Sequence, residues 1–310
     1  MDEFARIEKF LAPLAGEAGL GLKDDAAVLS PPAGRQLVLT VDQMLEGVHF
    51  FTDDNPALIA RKLLRRNLSD LAAMGAVPLG YLLTTALPAA LPEAWLAAFA
   101  QGLETDQRVF GIVLLGGDSS SARADISLTA TLIGHVAPGQ ALPRHGARAG
   151  DHIWVTGTIG DAALGLEARR GKLRDRTGFL TNRSLLPEPR LNLPLAGIVS
   201  AAIDISDGLV QDLAHICRGS GLAAEIQANA IPKSAAVAEL DDDYLELRLT
   251  GGDDYELLLA VPPEKADALQ GACADVPVTR IGVFQPGEGV NIVSGSGAKL
   301  ALSSSGWKHF

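Results

Sequence analysis

The sequence predicts an α/β fold, of the α+β kind with mixed sheets, divided into two domains. Strand-like and helix-like segments alternate along the chain, and 310 residues exceed the usual size of one compact domain. A stretch rich in Pro, Gly and Ala, residues 137–150, separates two halves that both show this alternation. We therefore expect one domain over residues 1–138 and a second over residues 148–310.

In the first half, short apolar runs with β-branched residues predict strands, and apolar residues at helical spacing predict helices. Asn55 and Pro56 are typical of a helix N-cap and first helical position, and Gly75 is typical of a helix end. The expected strands cover residues 36–41, 79–87, 111–115 and 127–136, and the expected helices cover residues 56–74 and 92–109.

The second half repeats the alternation after the Pro- and Gly-rich stretch. An irregular stretch is expected over residues 177–194 because it lacks a clear period. The expected strands cover residues 153–156, 201–205, 223–226 and 255–261, and the expected helices cover residues 161–170, 208–218 and 263–269.

Composition argues against several classes of protein. Lys and Arg total 26 against 37 Asp and Glu, a formal net charge of −11, so a basic face for nucleic acid is not expected. Two cysteines, Cys217 and Cys273, argue against a disulfide framework or a structural zinc site. The N-terminal MDEFARIEKF lacks the order of a signal peptide, and no apolar run reaches about 18 residues. We expect a cytoplasmic protein without a membrane span.

The aspartates indicate where chemistry could take place. Several stand beside glycine or a hydroxyl residue at the expected ends of apolar strands, where ligands collect in open α/β sheets. Carboxylates that converge repel one another unless a cation binds them, and such oxygen donors suit Mg²⁺. Any one of these acids alone is better explained as a turn residue or a helix cap, and only their joint occurrence favours a metal site. They occur at residues 24–25, 42, 118, 204–207 and 253–254.

Common nucleotide-binding and hydrolase motifs do not occur in the sequence. It contains no GxxxxGKS or GxxxxGKT loop, no GxGxxG after a strand, and neither HExxH nor GxSxG. A P-loop nucleotide site, a common zinc protease site and an α/β-hydrolase site are therefore not expected.

Seven segments, in their order and at about their spacing, resemble the thiamine-monophosphate kinase family, a relative of aminoimidazole ribonucleotide synthetase, selenophosphate synthetase and a hydrogenase-maturation protein. The resemblance implies a dimerising N-terminal α/β domain, a C-terminal α/β domain and an active site in the cleft between them. It implies transfer of the γ-phosphoryl group of ATP to thiamine monophosphate with several Mg²⁺ ions. The segments are KDDAAVL (23–29), TVDQMLEGVHF (40–50), NLSDLAAMGAVP (67–78), GGDSS (116–120), DHIWVTGTIGDAALGL (151–166), AIDISDGLVQDL (202–213) and TGGDDYELL (250–258).

The resemblance also implies roles for individual positions, with Asp42, Asp118 and Asp207 as the catalytic residues. Two positions depart from the family: Val41 stands where a hydroxyl residue is common, and Asp253 stands where glutamate is usual. The implied metal ligands are Asp25, Thr40, Asp42, Asp70, Asp118, Asp204 and Asp207, the nucleotide contacts are Gly117, Asp118, Arg144 and Ser206, and the thiamine monophosphate contacts are His49, Asp253 and Trp307.

Several positions keep a second interpretation. Asp70 follows Arg66 at the spacing of an ion pair within one helix. His49 could equally be a buried, hydrogen-bonded histidine, Trp307 could fix the C-terminus to the body of the protein, and Arg144 could be an ordinary surface residue. Two other functions remain open: the same ATP and metal site acting on another acceptor, and a divalent-cation-binding assembly protein without turnover.

The reaction that the resemblance implies needs no catalytic base, because the attacking phosphate oxygen of the acceptor is already ionised at neutral pH. The barrier then comes from bringing two polyanions together and from charge on the transferring group. The sequence therefore predicts direct in-line transfer without a phospho-enzyme.

Overall fold

The structure, a computed structural model, describes residues 3–241, 244–304 and 306–307. The chain forms two compact units. The first comprises Met1–Leu71 and Ala76–Gly139, and the second comprises Ala72–Gly75 and Gln140–Phe310. Each unit has its own β-sheet with both parallel and antiparallel pairs. The predicted fold class with mixed sheets is confirmed.

The first unit is built on a sheet with the strand order β1-β4-β2-β3. Strand β4 is antiparallel to β1 and β2, and β2 and β3 are parallel. The elements in chain order are α1 (Glu3–Arg6), β1 (Gln36–Leu45), α2 (Pro56–Ala73, whose last two residues belong to the second unit), β2 (Val77–Pro88), α3 (Glu93–Phe110), β3 (Val113–Ala122) and β4 (Ser127–Val136).

Helices α2 and α3 cover one face of this sheet. The predicted N-cap forms, because Asn55 Oδ1 accepts the N–H of Ala57 at 2.9 Å. The Gln107 side chain of α3 donates to the Tyr81 hydroxyl of β2 at 3.1 Å. A Cβ on Gly102 of α3 would lie 2.2 Å from the Ala57 carbonyl oxygen, so only glycine permits this close approach of the two helices.

Strands β1 and β3 extend further than the sequence predicts. Asp42 and Asp118 therefore lie inside strands, and the prediction that they stand in turns after strands was wrong. The polar and glycine-rich residues after each apolar run continue to pair with neighbouring strands, Asp42 with Ala130 and Asp118 with Thr84. Pairing satisfies their backbone groups, so composition alone does not end either strand.

The second unit is built on a sheet with the strand order β11-β10-β7-β9-β5-β8-β6, in which β10 and β7 are parallel and the other pairs are antiparallel. The elements are β5 (His152–Thr156), α4 (Asp161–Arg169), α5 (Phe179–Leu185), β6 (Ala201–Asp204), α6 (Leu209–Ser220), β7 (Ala223–Gln227), α7 (Ala235–Ala238), α8 (Leu245–Thr250), β8 (Leu257–Val261), α9 (Ala266–Ala272), β9 (Val278–Gln285), β10 (Gly289–Val293) and β11 (Lys299–Leu300).

This sheet is buried on both faces. Leu258 and Ala260 of β8 join a cluster that includes Leu213 of α6, whereas Leu257 and Leu259 join a second cluster on the other face. Successive side chains of a strand point to opposite faces, so a strand between two apolar layers reads as a continuous apolar run. The LLLAV sequence of β8 follows from this arrangement.

Several regions of the second unit differ from the prediction. Helix α5 lies inside the stretch expected to be irregular, and α8 and strands β9, β10 and β11 were not predicted. Strand β8 begins at Leu257 rather than residue 255, because Asp253 and Tyr255 have φ of +72° and +53°. Left-handed backbone cannot continue a β-ladder.

Candidate functional site

Three predicted metal ligands of the first unit lie together on the helix-covered face of the sheet. Thr40 and Asp42 alternate along β1 with exposed apolar residues, so both point towards α2. Thr40 Oγ1 donates to Asp70 Oδ2 of α2 at 2.5 Å. Arg66 Nε lies 3.7 Å from Asp42 Oδ2, so a cation of α2 also faces this group. The structure thus brings Thr40, Asp42 and Asp70 to one place.

Asp118 lies on the other face of the same sheet. It pairs with Thr84 and is exposed, whereas the neighbouring Ser119 bonds to buried Thr85 on the helix-covered face. Preceding it, Gly117 pairs with Leu83, and a Cβ there would lie 1.8 Å from the Leu83 carbonyl oxygen. Glycine is required by this close backbone approach. Within the first unit, Asp118 therefore does not join Asp42.

His49 is held in one orientation by the backbone. Its Nδ1 accepts the N–H of Leu45 at 3.0 Å, and Lys62 Nζ donates to the His49 carbonyl oxygen at 3.3 Å. A backbone N–H can only donate, so Nε2 is the ring nitrogen that carries the proton of the neutral imidazole. Asp25 is exposed in the irregular segment before β1.

In the second unit, one carboxylate holds the segment that carries a predicted nucleotide contact, Ser206, and follows or includes two predicted metal ligands, Asp204 and Asp207. Asp204 ends β6, and Ser206 and Asp207 follow it before α6. Asp212 Oδ2, from the first turn of α6, accepts the N–H groups of Ser206 and Asp207 at 3.0 Å each and that of Gly208 at 3.2 Å. Burial raises the pKa of Asp212 to about 7, and these N–H groups only partly oppose this.

The carbonyl groups of the same segment hold the predicted acceptor contacts. The Tyr255 N–H donates to the Ile205 carbonyl at 2.8 Å, the Asp253 N–H to the Ser206 carbonyl at 2.9 Å, and the Trp307 N–H to the Asp207 carbonyl at 3.0 Å. Residues 206–208 thus donate their amide N–H groups to Asp212, and the carbonyl groups of residues 205–207 bind Tyr255, Asp253 and Trp307. One backbone segment therefore contains Ser206, a predicted nucleotide contact, and binds Asp253 and Trp307, two of the predicted acceptor contacts.

Asp253 lies in a turn that is stabilised by the buried carboxylate of the next residue, Asp254. Asp254 is fully buried and accepts the N–H groups of Gly160 at 2.7 Å and Ala162 at 3.4 Å at the start of α4. Burial raises the pKa of Asp254 well above its ordinary value. The Tyr255 hydroxyl donates to Asp253 Oδ1 at 3.0 Å. These contacts offset the strain of two left-handed residues, which costs about 1–3 kcal/mol each.

Arg144 lies beside α6 and is exposed. The preceding Pro143 carbonyl accepts the N–H of Ala202 on β6 at 2.9 Å, which attaches this segment to the sheet. Burial lowers the pKa of His215 on α6, and the charges of Arg218 and Arg144 lower it further. The guanidinium group therefore lies close enough to α6 to act on its side chains electrostatically.

The roles of three buried acids were not recognised from the sequence, although Asp254 was noted among the strand-end aspartates. Asp212 and Asp254 hold backbone amides, and Glu256 accepts from Thr156 Oγ1 at 2.7 Å and from Arg183 and Arg190 at 3.1 and 2.5 Å. Each stands inside or next to an apolar segment, where a charged residue needs partners to be stable. An acidic residue inside or next to an apolar segment was thus the feature of the sequence that could have indicated these roles.

The donors fit Mg²⁺ by their chemistry. Thr40, Asp42 and Asp70 in the first unit and Asp204 and Asp207 in the second supply hydroxyl and carboxylate oxygens, the ligands that Mg²⁺ takes. Over the described ranges, no group of three or more His, Cys, Asp or Glu side chains is placed to hold a metal ion.

No helix among the residues described has the length and apolarity to cross a membrane.

Comparisons with known proteins place the chain in a family. Models of the AIR synthase related protein match it at residues 23–136 for the N-terminal domain and 148–295 for the C-terminal domain. It is 42% identical to a thiamine-monophosphate kinase of Caulobacter vibrioides, in an alignment that covers 99% of this chain and 90% of that protein.

Solved structures agree. The crystal structure of thiamine-monophosphate kinase from Stenotrophomonas maltophilia K279a has a TM-score of 0.83 and 40% identity, and the match covers 94% of this chain and 96% of that one. AaThiL complexed with AMPPCP and TMP has a TM-score of 0.80 and 30% identity, with 99% and 97% covered. The resemblance of the seven segments is confirmed: the chain belongs to the AIR synthase related family and, within it, to the thiamine-monophosphate kinases.

Proposed function

We propose that this protein transfers the γ-phosphoryl group of ATP to thiamine monophosphate, giving thiamine diphosphate and ADP. The observation that carries the proposal is the shared segment, residues 205–208, to which both Asp253 and Trp307 are hydrogen bonded. The segment then contacts the nucleotide through Ser206, and it holds Asp253 and Trp307, which contact the acceptor. The identity to thiamine-monophosphate kinases and the likeness to a relative that binds AMPPCP, an ATP analogue, and TMP support the same assignment.

The transfer proceeds directly and in line. A phosphate oxygen of thiamine monophosphate forms a bond to the γ-phosphorus of ATP, and the bond between that phosphorus and the β,γ-bridging oxygen breaks. The electron pair of the broken bond leaves with ADP, and no proton has to be removed from the attacking oxygen. The protein contributes orientation and charge stabilisation, which dominate phosphoryl transfer.

Mg²⁺ is the cofactor that this donor set suits. When bound, it neutralises phosphate charge and draws donor and acceptor oxygens together. A chain of net charge −11 needs this neutralisation to bind two anionic substrates. The residues that would hold several such ions between them are Asp25, Thr40, Asp42, Asp70, Asp118, Asp204 and Asp207.

The protein acts as a homodimer, with a second copy covering the open face of the first unit's sheet. Leu37, Leu39, Val41 and Leu45 of β1 and Leu82 of β2 are exposed there. The four β1 side chains lie on one side of a single strand, and such an exposed apolar row is typical of an interface rather than of a solvated surface. Two acidic chains repel one another where charges meet; these five side chains carry no charge, and Asp118 on the same face belongs to β3, at the opposite edge of the sheet from β1.

The decisive experiment is a product assay. The protein is incubated with ATP, Mg²⁺ and thiamine monophosphate, and thiamine diphosphate and ADP are quantified by chromatography. Equal amounts of the two products, both lost with EDTA and restored by excess Mg²⁺, are expected. ADP without thiamine diphosphate, accompanied by consumption of another phosphorylated acceptor, would assign the ATP site to a different reaction. Phosphate from labelled ATP retained covalently on the protein would contradict direct transfer.

A further inference from the structure

Gln211, on the first turn of α6, links two parts of the second unit. Its Nε2 donates to Asp207 Oδ2 at 3.3 Å and to the Trp307 carbonyl oxygen at 2.9 Å. A primary amide has two N–H groups, so one side chain can make both bonds at once. Gln211 therefore connects the carboxylate of a proposed metal ligand to the backbone of a proposed acceptor contact.

Gly306 allows the C-terminal segment to approach α6 this closely. A Cβ on Gly306 would lie 2.6 Å from Gln211 Cβ and 2.9 Å from the Asp207 carbonyl oxygen, distances that side chains do not adopt. The next residue then donates its backbone N–H to the Asp207 carbonyl at 3.0 Å. The backbone at Trp307 is thus fixed by one hydrogen bond on each side of the residue and by the close approach at Gly306.

The Trp307 ring is presented rather than buried by these contacts. It is 52% exposed, whereas Trp154 is buried in the core and Trp95 stacks on Phe99. A tryptophan that served only to fix the chain end to the protein would bury its large apolar surface. Here backbone hydrogen bonds attach the segment, and about half of the Trp307 surface is exposed to solvent.

We infer that Gln211 is a positioning residue for acceptor binding, which fixes the indole of Trp307 relative to Asp207. The inference rests on the proposed function, in which Trp307 contacts thiamine monophosphate. Gln211 acts through the tail backbone and needs no contact with the acceptor itself. Its loss should weaken acceptor binding more than ATP binding, since Ser206 is held independently by Asp212.

Two variants test this from opposite sides. Gln211→Met keeps the length of the side chain and removes both donors, and Gly306→Ala leaves Gln211 intact but pushes the tail away. The control is Gly295→Ala, whose Cβ would lie 3.7 Å from Asn229 Nδ2, an ordinary contact. We expect the KM for thiamine monophosphate to rise about three- to tenfold in both test variants, the loss expected for one or two hydrogen bonds. The KM for ATP should stay within about twofold, and the control should behave as the wild type.

Amide hydrogen exchange of the C-terminal peptide gives a readout independent of activity. Faster exchange at Trp307 is expected in Gln211→Met and Gly306→Ala but not in Gly295→Ala, because the bond to Asp207 is weakened. Wild-type exchange in both test variants would overturn the inference even if the protein proved to act on another acceptor.

The kinetic result separates the inference from the proposed function. If the wild type makes thiamine diphosphate and both variants keep its KM for the acceptor, the positioning role is wrong while the function stands. Equal changes in both KM values together with a lowered Tm would show a merely structural role, and would also overturn the inference. If the wild type makes no thiamine diphosphate, the proposed function fails, and hydrogen exchange alone decides whether Gln211 fixes the tail.

Discussion

Asp212 Oδ2 lies 3.0 Å from the backbone nitrogen of Asp207, and the same oxygen accepts the N–H groups of the residues on either side. A helix N-terminus leaves such amides without partners inside the helix. In this chain the carboxylate of Asp212, a residue of the helix itself, accepts hydrogen bonds from the amides that precede the helix. The shape of the segment that carries Ser206 and Asp207 therefore depends on a residue that was not recognised from the sequence.

Replacing Asp212 by alanine should destabilise the protein and impair nucleotide binding. Three backbone N–H groups lose their acceptor, and relief of the desolvation of a buried acid offsets part of that loss, so we expect about 2 kcal/mol. Urea denaturation measures the stability, and the KM for ATP should rise. The matched control is Asp175→Ala, which removes the bonds to the Gly178 and Thr181 N–H groups near α5. It should cost about 1 kcal/mol without a kinetic effect; equal behaviour of the two variants would refute the role of Asp212.

Asp42→Asn and Asp118→Asn should each lower kcat by about 10²-fold or more while the protein stays folded. Each substitution removes a charged oxygen from the proposed metal ligands. Asp42 is partly exposed and 3.7 Å from Arg66, and Asp118 is exposed, so the loss of stability should stay below about 1 kcal/mol. Steady-state kinetics measures the change in kcat, and thermal denaturation measures the change in stability. Asp24→Asn, an exposed neighbour of Asp25, serves as the control and should retain activity; near-normal rates in both test variants would remove these residues from the site.

Val41→Asp should convert the protein to a monomer. Val41 is 59% exposed on the open face of the sheet, and a carboxylate there would have to be desolvated in a dimer. Val109→Asp is the control, because Val109 is 60% exposed on α3, away from that face. Light scattering after size exclusion gives the mass of each. A wild type that is already monomeric, or a Val41→Asp variant that remains dimeric, would contradict the homodimer.

Asp254→Asn should reduce the pH dependence of stability. Folding raises the pKa of Asp254 above its ordinary value of 3.8, so the folded protein binds this proton more tightly than the unfolded chain. The contribution of Asp254 is full below that ordinary value and is lost as the pH rises through the folded pKa. Asparagine has no such proton and retains an acceptor for the Gly160 N–H. The advantage of the wild type over the variant should therefore decrease from about pH 5 to about pH 8 in urea denaturation; a constant difference would show that Asp254 does not titrate there.

The elements with strong periodic patterns could be predicted from the sequence. Strand β4 and helix α2 have nearly the expected bounds, because one alternates clearly and the other has a cap at Asn55 and a stop at Gly75. The longer extent of β1 and β3 could not be predicted. Strand pairing decides it, and the partner strands of Asp42 and Asp118 are distant in sequence.

The residues proposed for the site come from the resemblance, whereas the residues that support them could not be predicted from the sequence. Asp212 looks like an ordinary acid in the first turn of a helix, where the helix dipole favours it. Its role depends on the direction of a preceding turn that sequence patterns do not determine. The same applies to Gln211, whose partner Trp307 stands near the other end of the chain.

The double use of residues 205–208 limits how the length of the chain can vary. A residue inserted or deleted there would move the amides away from Asp212 and the carbonyls away from Asp253 and Trp307 at the same time. No local rearrangement could then restore both sets of hydrogen bonds. Length polymorphism among natural variants should therefore avoid this stretch and concentrate in turns such as residues 171–178, which join α4 to α5.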